Sequence, residues 1–256
     1  MRERQPQPSA LITGAASGIG AAFARALAAE GYRLVLVDCD GEGLERAAAS
    51  LPADCETLTA DLTVEADLAR IERRCGEGLD LLVNNAGFGH PTRFLATPPE
   101  AETAMLRLHT EAVLRLTLAA LPSMVERRRG GVINLASVLG FFPSSTYSAS
   151  KAWVINFSRS TAVKMRGHEV AVMALCPGFT RTEFHDSARM NMSGVPGFLW
   201  LEAEVLVAKA LRDWRRRRSV SIPGWQYKVI ATLARHLPMA LIDRILTHSG
   251  KRSVVD

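Results

Sequence analysis

Short aliphatic runs alternate with longer amphipathic stretches along most of this chain. The runs at Ala10–Thr13, Arg33–Val37, Glu56–Thr59, Leu79–Val83, Gly131–Ala136, Val170–Leu175 and Ser219–Ile222 predict strands. The stretches near Gly18–Glu30, Glu42–Ala49, Glu65–Arg74, Glu100–Met124, Ser148–Arg166 and Glu202–Trp214 carry apolar residues at helical spacing and predict helices. Strands this continuously apolar belong in a sheet covered on both faces. Their alternation with helices implies right-handed crossovers, and so an α/β fold with a doubly wound parallel sheet of about seven strands. No internal repeat or linker divides the chain. A single domain is expected over 1–256, with a core at about 9–222 and a helical extension from about Pro223.

Composition narrows the class. At 256 residues, with 48% hydrophobic and 22% charged residues, the chain is too apolar to be disordered. Its 19 Gly and 12 Pro follow no period, which excludes a collagen-like fibre. No run approaches the roughly 18 uncharged apolar residues of a membrane-spanning helix. The opening MRERQPQP leads into SALITGAAS, which is not a secretory apolar run, so a soluble cytoplasmic protein is expected. Cys39, Cys55, Cys75 and Cys176 form no CxxC pair and have no His at zinc-like spacing, so reduced thiols and no metal site are expected.

The net charge of +5 is concentrated. Arg127-Arg128-Arg129 and Arg215-Arg216-Arg217-Arg218 hold seven positive charges. Such runs can meet nucleic acid or an anionic surface. Solvated helix ends, where cations offset the C-terminal dipole, account for them more simply, and no nucleic-acid partner is expected.

Thr13-Gly14-Ala15-Ala16-Ser17-Gly18-Ile19-Gly20 follows the first strand and opens the first helix, the setting of a dinucleotide-binding turn. Gly14 would permit the tight turn, while Gly18 and Gly20 would let backbone approach a pyrophosphate and the helix pack on the strand. The helix N-terminus would receive the phosphates on free N–H groups. The spacing is G-x-x-x-G-x-G rather than G-x-G-x-x-G. Asp38, at the end of the second strand, can accept hydrogen bonds from adenosine ribose hydroxyls and would repel a 2′-phosphate. No Arg or Lys stands at 39–43, so NAD(H) is favoured over NADP(H).

Tyr147 and Lys151 lie four apart at a helix start and therefore on one face. A phenol of pKa about 10 is a poor proton catalyst at neutral pH, and a neighbouring ammonium should lower it, by about 3 units for roughly 4 kcal/mol. Tyr147 would then exchange a proton with an alcohol or carbonyl oxygen, with Lys151 also holding the nicotinamide ribose. Ser137, just after the fifth strand, would hydrogen-bond the same oxygen.

Together these motifs resemble the short-chain dehydrogenase/reductase (SDR) family, classical type, with a Rossmann-type fold. The matching residues are TGAASGIG at 13–20, Asp38, Asp61-Leu62, Asn84-Asn85-Ala86-Gly87, Ser137, Tyr147 with Lys151, and Pro177-Gly178 with Thr180 and Thr182, in family order over about 9–185. The resemblance implies that Gly14, Ser17, Gly18, Ile19 and Gly20 hold the cofactor. It implies that Asp61 and Leu62 flank its adenine, and that Asn85, Ala86 and Gly87 line the sheet beside it. Pro177, Gly178, Thr180 and Thr182 would lie against the nicotinamide, a Thr binding the carboxamide. The implied reaction is reversible hydride transfer between NAD(H) and a secondary alcohol or ketone, with Tyr147 as general acid or base. A homodimer or homotetramer is implied as well.

Two departures stand out. The family's usual Asn in the long fourth helix, which holds a proton-relaying water, is matched by His109; imidazole can donate and accept in the same relay, or be a buried structural side chain. Ser137 and Tyr147 are 10 apart where the family leaves 12 or 13, so Phe141-Phe142-Pro143-Ser144-Ser145-Thr146 is a shortened loop. A cofactor-binding regulatory or scaffold protein with little turnover is the alternative to the enzyme.

Substrate preference is read from the variable parts. Phe184, Met190, Met192, Val195, Phe198, Leu199 and Trp200, with Phe88, Phe141 and Phe142, predict an apolar pocket for a lipophilic substrate, or a packed lid. Beyond Pro223, Val229, Ile230, Leu233, Leu237, Ala240, Leu241, Ile245 and Leu246 recur at helical spacing among basic residues. That pattern suits helices packed on this domain or a second subunit, or lying on an anionic bilayer.

Overall fold

The computed structural model describes residues 7–90, 96–182 and 196–236. Seven parallel strands form the central sheet: β1 (Ser9–Thr13), β2 (Arg33–Asp38), β3 (Cys55–Thr59), β4 (Leu81–Asn84), β5 (Gly131–Leu135), β6 (Ala171–Leu175) and an edge strand at Val220–Ser221. Their order is β3-β2-β1-β4-β5-β6-edge, so the winding direction reverses between β1 and β4. A separate two-residue pair, β7 (Thr180–Arg181) with β8 (Leu201–Glu202), stands beside it, and the edge strand is β9.

The inner strands are apolar on both sides because each side meets helices. Ala10 and Ile12, Leu34 and Leu36, Leu81 and Val83, Ile133 and Met173 face one layer. That layer is formed by α1 (Gly18–Ala29), through Phe23 and Leu27, and α7 (Ala203–Arg215), through Leu206, Val207 and Leu211. Leu11, Val35, Leu82, Val132 and Val172 face the other. Here α3 (Glu65–Gly76) contributes Leu68 and Ile71, and α5 (Val113–Glu126) contributes Leu116, Ala120 and Met124. Truncating a fully buried side chain such as Phe23 in layers of this kind costs about 3–5 kcal/mol.

Two elements depart from the sequence pattern and a third follows it. The stretch expected as one helix over Glu100–Met124 runs as α4 (Pro99–Leu106), a π-helical segment at Arg107–Ala112, and α5. A π-turn keeps the chain helical while shifting the faces that follow, which apolar spacing does not reveal. Next, α6 spans Thr146–Met165 and begins before the expected Ser148. Ser145 caps it, accepting the Ser148 N–H at 3.2 Å while Ser148 Oγ accepts the Ser145 N–H. Third, the start of the C-terminal extension is α8 (Trp225–His236), reached through Gly224 at φ +87°. It buries Gln226, Tyr227 and Ala231 and exposes Trp225, Val229 and Leu233. Leu237, Ala240, Leu241, Ile245 and Leu246 lie outside the described residues, as do Phe184, Met190, Met192 and Val195. (The helix at Gly41–Ala49 is α2.)

Candidate active site

The carboxyl ends of β1 and β4 flank the crevice where the strand order reverses, the place where open α/β sheets bind ligands. Gly14 and Gly18 sit at φ +67° and +55°, which L side chains rarely adopt. Gly20 is constrained by contact instead: a Cβ there would lie 1.9 Å from the Gly14 carbonyl oxygen. Asn85 Nδ2 donates to the Thr13 and Gly14 carbonyls, both at 2.9 Å, and Thr13 Oγ1 accepts the Asn85 and Ala86 N–H groups at 3.0 Å. Asn85 and Ala86 thus brace the turn from β4. Asn84 points elsewhere, donating to Asn134 Oδ1 at 2.8 Å and to Thr117. Ser17 precedes α1 with extended backbone, its own side chain makes no capping hydrogen bond, and no acidic residue stands in the first turn. The helix therefore keeps the positive N-terminal end that an anion would use.

Asp38 ends β2 beside this turn. Its Oδ2 accepts the Ala16 N–H at 2.9 Å and its Oδ1 the Asp40 N–H at 3.1 Å, which fixes the carboxylate. Asp40 caps α2, its Oδ1 accepting the Gly43 N–H at 2.9 Å. Asp61 accepts the Thr63 N–H and hydroxyl at 2.9 and 2.7 Å, and Leu62 is buried against Val35 and Val37. A cleft of about 310 Å³ opens between the glycine turn and α2, bordered by Ala16, Ser17, Asp40, Gly43 and Arg46.

The second cluster lies at the ends of β4 and β5. Lys151 is 4% exposed, and its Nζ donates to the Leu135 carbonyl at 3.0 Å. Its Nζ lies 5.6 Å from the centre of the Tyr147 ring, one helical turn back. The Ser137 side chain lies near enough to the Tyr147 hydroxyl to favour its ionised form, and its Oγ accepts the Leu139 N–H at 3.1 Å. The short loop between them folds as a 3₁₀ turn at Val138–Phe141. Gly140 packs it on the α6 backbone, where a Cβ would meet Lys151 C at 2.8 Å.

The electrostatics differ from the sequence expectation. Tyr147 keeps part of its surface open, yet burial around the hydroxyl pushes its phenol up to about 12, opposed only by the Ser137 side chain. Burial also pulls the Lys151 ammonium down to about 7. A lowered phenol would require the neighbouring amine to stay fully charged. Here the same desolvation disfavours the charged form of each group, and the cation titrates near neutrality.

His109, in the π-helical segment, is fully buried. The Ser150 hydroxyl donates to the Tyr147 carbonyl at 2.7 Å, so its lone pair receives the His109 Nδ1–H at 2.9 Å. That tautomer leaves Nε2 as an acceptor, and it has no partner among the described residues. Nε2 faces Gly87: a Cβ on Gly87 would lie 2.9 Å from it and 3.5 Å from Lys151 Nζ. The missing side chain of Gly87 is what lets the imidazole and the amine border one spot. Burial, with Lys151 and His90 nearby, holds His109 well below the usual imidazole range, hence neutral. Its ring stands edge-on to Tyr147 at 5.4 Å and tilted to Phe88 at 6.3 Å.

Beyond β6, Pro177 and Gly178 lead into β7. Thr180 Oγ1 donates to the Gly178 carbonyl at 3.0 Å, and Thr182 Oγ1 lies 3.5 Å from the Thr180 carbonyl. Sequence reasoning missed Tyr227 of α8, whose ring covers Gly178 and whose hydroxyl accepts the Phe179 N–H at 2.9 Å. Nothing in the spacing of α8 separates Tyr227 from its apolar neighbours. Around the site, Trp200 packs on Phe179 at 5.9 Å, and Phe141 and Phe142 border a groove of about 440 Å³ against the start of α6. The arginine runs are engaged with their own chain: Arg127 with the Leu79 carbonyl, Arg129 with Asp80, Arg215 with Glu30 and Arg217 with Glu169.

Comparison with known proteins agrees with this architecture. The short chain dehydrogenase family model matches residues 8–193. A very-long-chain 3-oxoacyl-CoA reductase of Pyrenophora tritici-repentis is 38% identical over 181 residues, 65% of this chain; the match spans only 53% of that longer protein. A short-chain dehydrogenase from Sphingobium yanoikuyae, solved in complex with NADPH, superposes with a TM-score of 0.82 at 32% identity, covering 97% of this chain and 98% of that one. The bulky-bulky ketone specific alcohol dehydrogenase of Comamonas testosteroni superposes with a TM-score of 0.76 at 27% identity, covering 98% and 97%. The chain belongs to the short-chain dehydrogenase family.

Proposed function

We propose that this chain is an NAD(H)-dependent dehydrogenase or ketone reductase for a lipophilic secondary alcohol or ketone, with Tyr147 as general acid or base. The observation that carries this reading is the buried Lys151 amine 5.6 Å from the centre of the Tyr147 ring, held on the Leu135 carbonyl at the strand ends next to the glycine turn. The turn fits a dinucleotide: two left-handed glycines, a third in contact with the first, and a helix N-terminus with no acidic residue in its first turn. Gly14, Ser17, Gly18, Ile19 and Gly20 would hold the pyrophosphate, Asp38 the adenosine ribose, Asp61 and Leu62 the adenine. Asn85, Ala86 and Gly87 would border the cofactor's middle, and Pro177, Gly178, Thr180 and Thr182 its nicotinamide.

When bound, NADH supplies the hydride. The residues of the chain manage the proton. Ser137 and Tyr147 would hydrogen-bond the carbonyl oxygen of the substrate, and Tyr147 would transfer its hydroxyl proton as that oxygen gains charge. The resulting phenolate needs a cation nearby, and Lys151 would supply it in its ammonium form, which is populated near neutrality. The bare Nε2 of His109 would accept a hydrogen bond from that ammonium, directly or through water, orienting it toward Tyr147.

Phe88, Phe141, Phe142, Leu199 and Trp200 support an apolar substrate, and the bulky-ketone preference named for the Comamonas enzyme points the same way. NADP(H) is the second reading: the Sphingobium relative was solved with NADPH, and Arg46 borders the cleft beside the glycine turn. Assembly into two or four copies and work in the cytoplasm belong to the same proposal.

Initial rates of NADH and NADPH oxidation across ketones of rising apolar bulk, with sugars as contrast, test it. Higher kcat/KM for bulky apolar ketones, and about tenfold preference for NADH, are expected. The opposite substrate ranking discards the lipophilic pocket. Tight NADH binding with no turnover of any carbonyl would favour the scaffold instead.

A further inference from the structure

Tyr227 lies outside every motif considered so far, yet it is the most firmly seated of the three tyrosines. Its side chain is 3% exposed, and a Cβ on Gly178 would come within 1.9 Å of its ring, so the bare Cα of Gly178 is packed against the aromatic face. Its hydroxyl accepts the Phe179 N–H at 2.9 Å and donates to the Leu199 carbonyl. These are backbone groups of the two strands' approaches: Leu201 N–H donates to the Phe179 carbonyl at 2.9 Å, and Thr180 pairs with Leu201 where β7 meets β8. A single phenol therefore adds one side-chain rung to the root of that small ladder. The neighbouring Gln226 Nε2 donates to the Phe198 carbonyl at 3.1 Å, tying the same strand approach to α8.

We propose that Tyr227 is a positioning residue for the nicotinamide half of the cofactor. This rests on the dinucleotide reading given above. The segment 178–182 carries Thr180 and Thr182 toward the reacting end, and the Tyr227 hydroxyl sets its direction by holding Phe179 and Leu199 together. Without that hydroxyl, a half-buried N–H and a half-buried carbonyl lose its hydrogen bonds, and the turn relaxes to satisfy them. The adenosine end, on Asp38 and the glycine turn, makes no contact with α8 in this scheme.

Calorimetric titration of the full chain with NADH and with ADP-ribose separates the two ends. For Tyr227→Phe, the NADH Kd should rise about tenfold while the ADP-ribose Kd stays within twofold of wild type. Equal affinity for NADH in both proteins overturns the inference. So does parallel weakening of both ligands, which would mean a merely structural role. Hydrogen exchange on the wild-type chain covers the case in which the variant does not fold. NADH should slow exchange at Phe179 and Leu201 together and ADP-ribose should not; saturating NADH that leaves both amides unchanged overturns it. A wild-type chain that binds ADP-ribose and NADH not at all removes the dinucleotide reading itself, and this inference with it, so the two failures are distinct.

Discussion

The two sides of the crevice are built from different materials. On the β1 side, the turn at Gly14–Gly20 is almost entirely backbone, and its tolerance is set by one approach of 1.9 Å between a would-be Cβ and a carbonyl oxygen. On the β5 side, Ser137, Tyr147, Lys151 and His109 converge as side chains from a loop, a helix and a π-helical segment, and burial rather than sterics sets their state. The first region is broken by adding a methyl group. The second is changed by adding or removing a proton.

That contrast can be broken hardest at Lys151. Lys151→Met should lower kcat by about 10³-fold, within the span of general acid–base effects, with NADH affinity changed far less. The same variant should melt higher than wild type at pH 6. An exposed lysine titrates near 10.4 and Lys151 near 7, so between those values the unfolded chain holds more protons and wild-type stability rises with pH. The thermal margin of the variant should accordingly shrink from pH 7 toward pH 10, as scanning calorimetry would record. A constant margin would mean that burial does not govern the Lys151 charge.

On the opposite side, Gly20→Ala should weaken NADH about 100-fold in a binding titration. Overpacking of this kind costs about 1–3 kcal/mol, or about 2–4 °C of Tm for each kcal/mol in a domain of this size. Unlike Lys151→Met, its thermal penalty should be the same at pH 6 and pH 9. The finest discrimination comes from His109. His109→Leu should lower kcat about tenfold and move the pH dependence of kcat, while His109→Asn, which keeps an acceptor, should recover most of the loss. Equal effects of both replacements on kcat, with an unmoved pH profile, would reduce His109 to packing.

The same contrast explains what could be read in the chain beforehand. The glycine turn is legible because its constraints act within eight residues: strand, left-handed positions and helix start are all local. The Tyr147–Lys151 pair is legible for the same reason, since four residues make one helical turn. The orientation of His109 is not, because a π-helical turn and an α-helical turn share the same apolar pattern, and because its Nδ1 partner, Ser150, is 41 residues away. The direction of the Tyr147 shift is not legible in spacing either: proximity to an amine is visible in a sequence, whereas the desolvation that discharges the amine is not. Tyr227 reaches Phe179 across 48 residues, with no local signature to betray it. The alternating strands and helices, by contrast, were legible almost throughout, since burial on two faces writes itself into the inner strands.

The central claim is that the Tyr147 hydroxyl carries the proton. Single-turnover oxidation of bound NADH by a bulky apolar ketone, in wild type and in Tyr147→Phe, tests it most directly. The account predicts a rate at least about 100-fold lower in the variant with NADH Kd within twofold of wild type. A variant that binds NADH equally and oxidises it at the wild-type rate would contradict it.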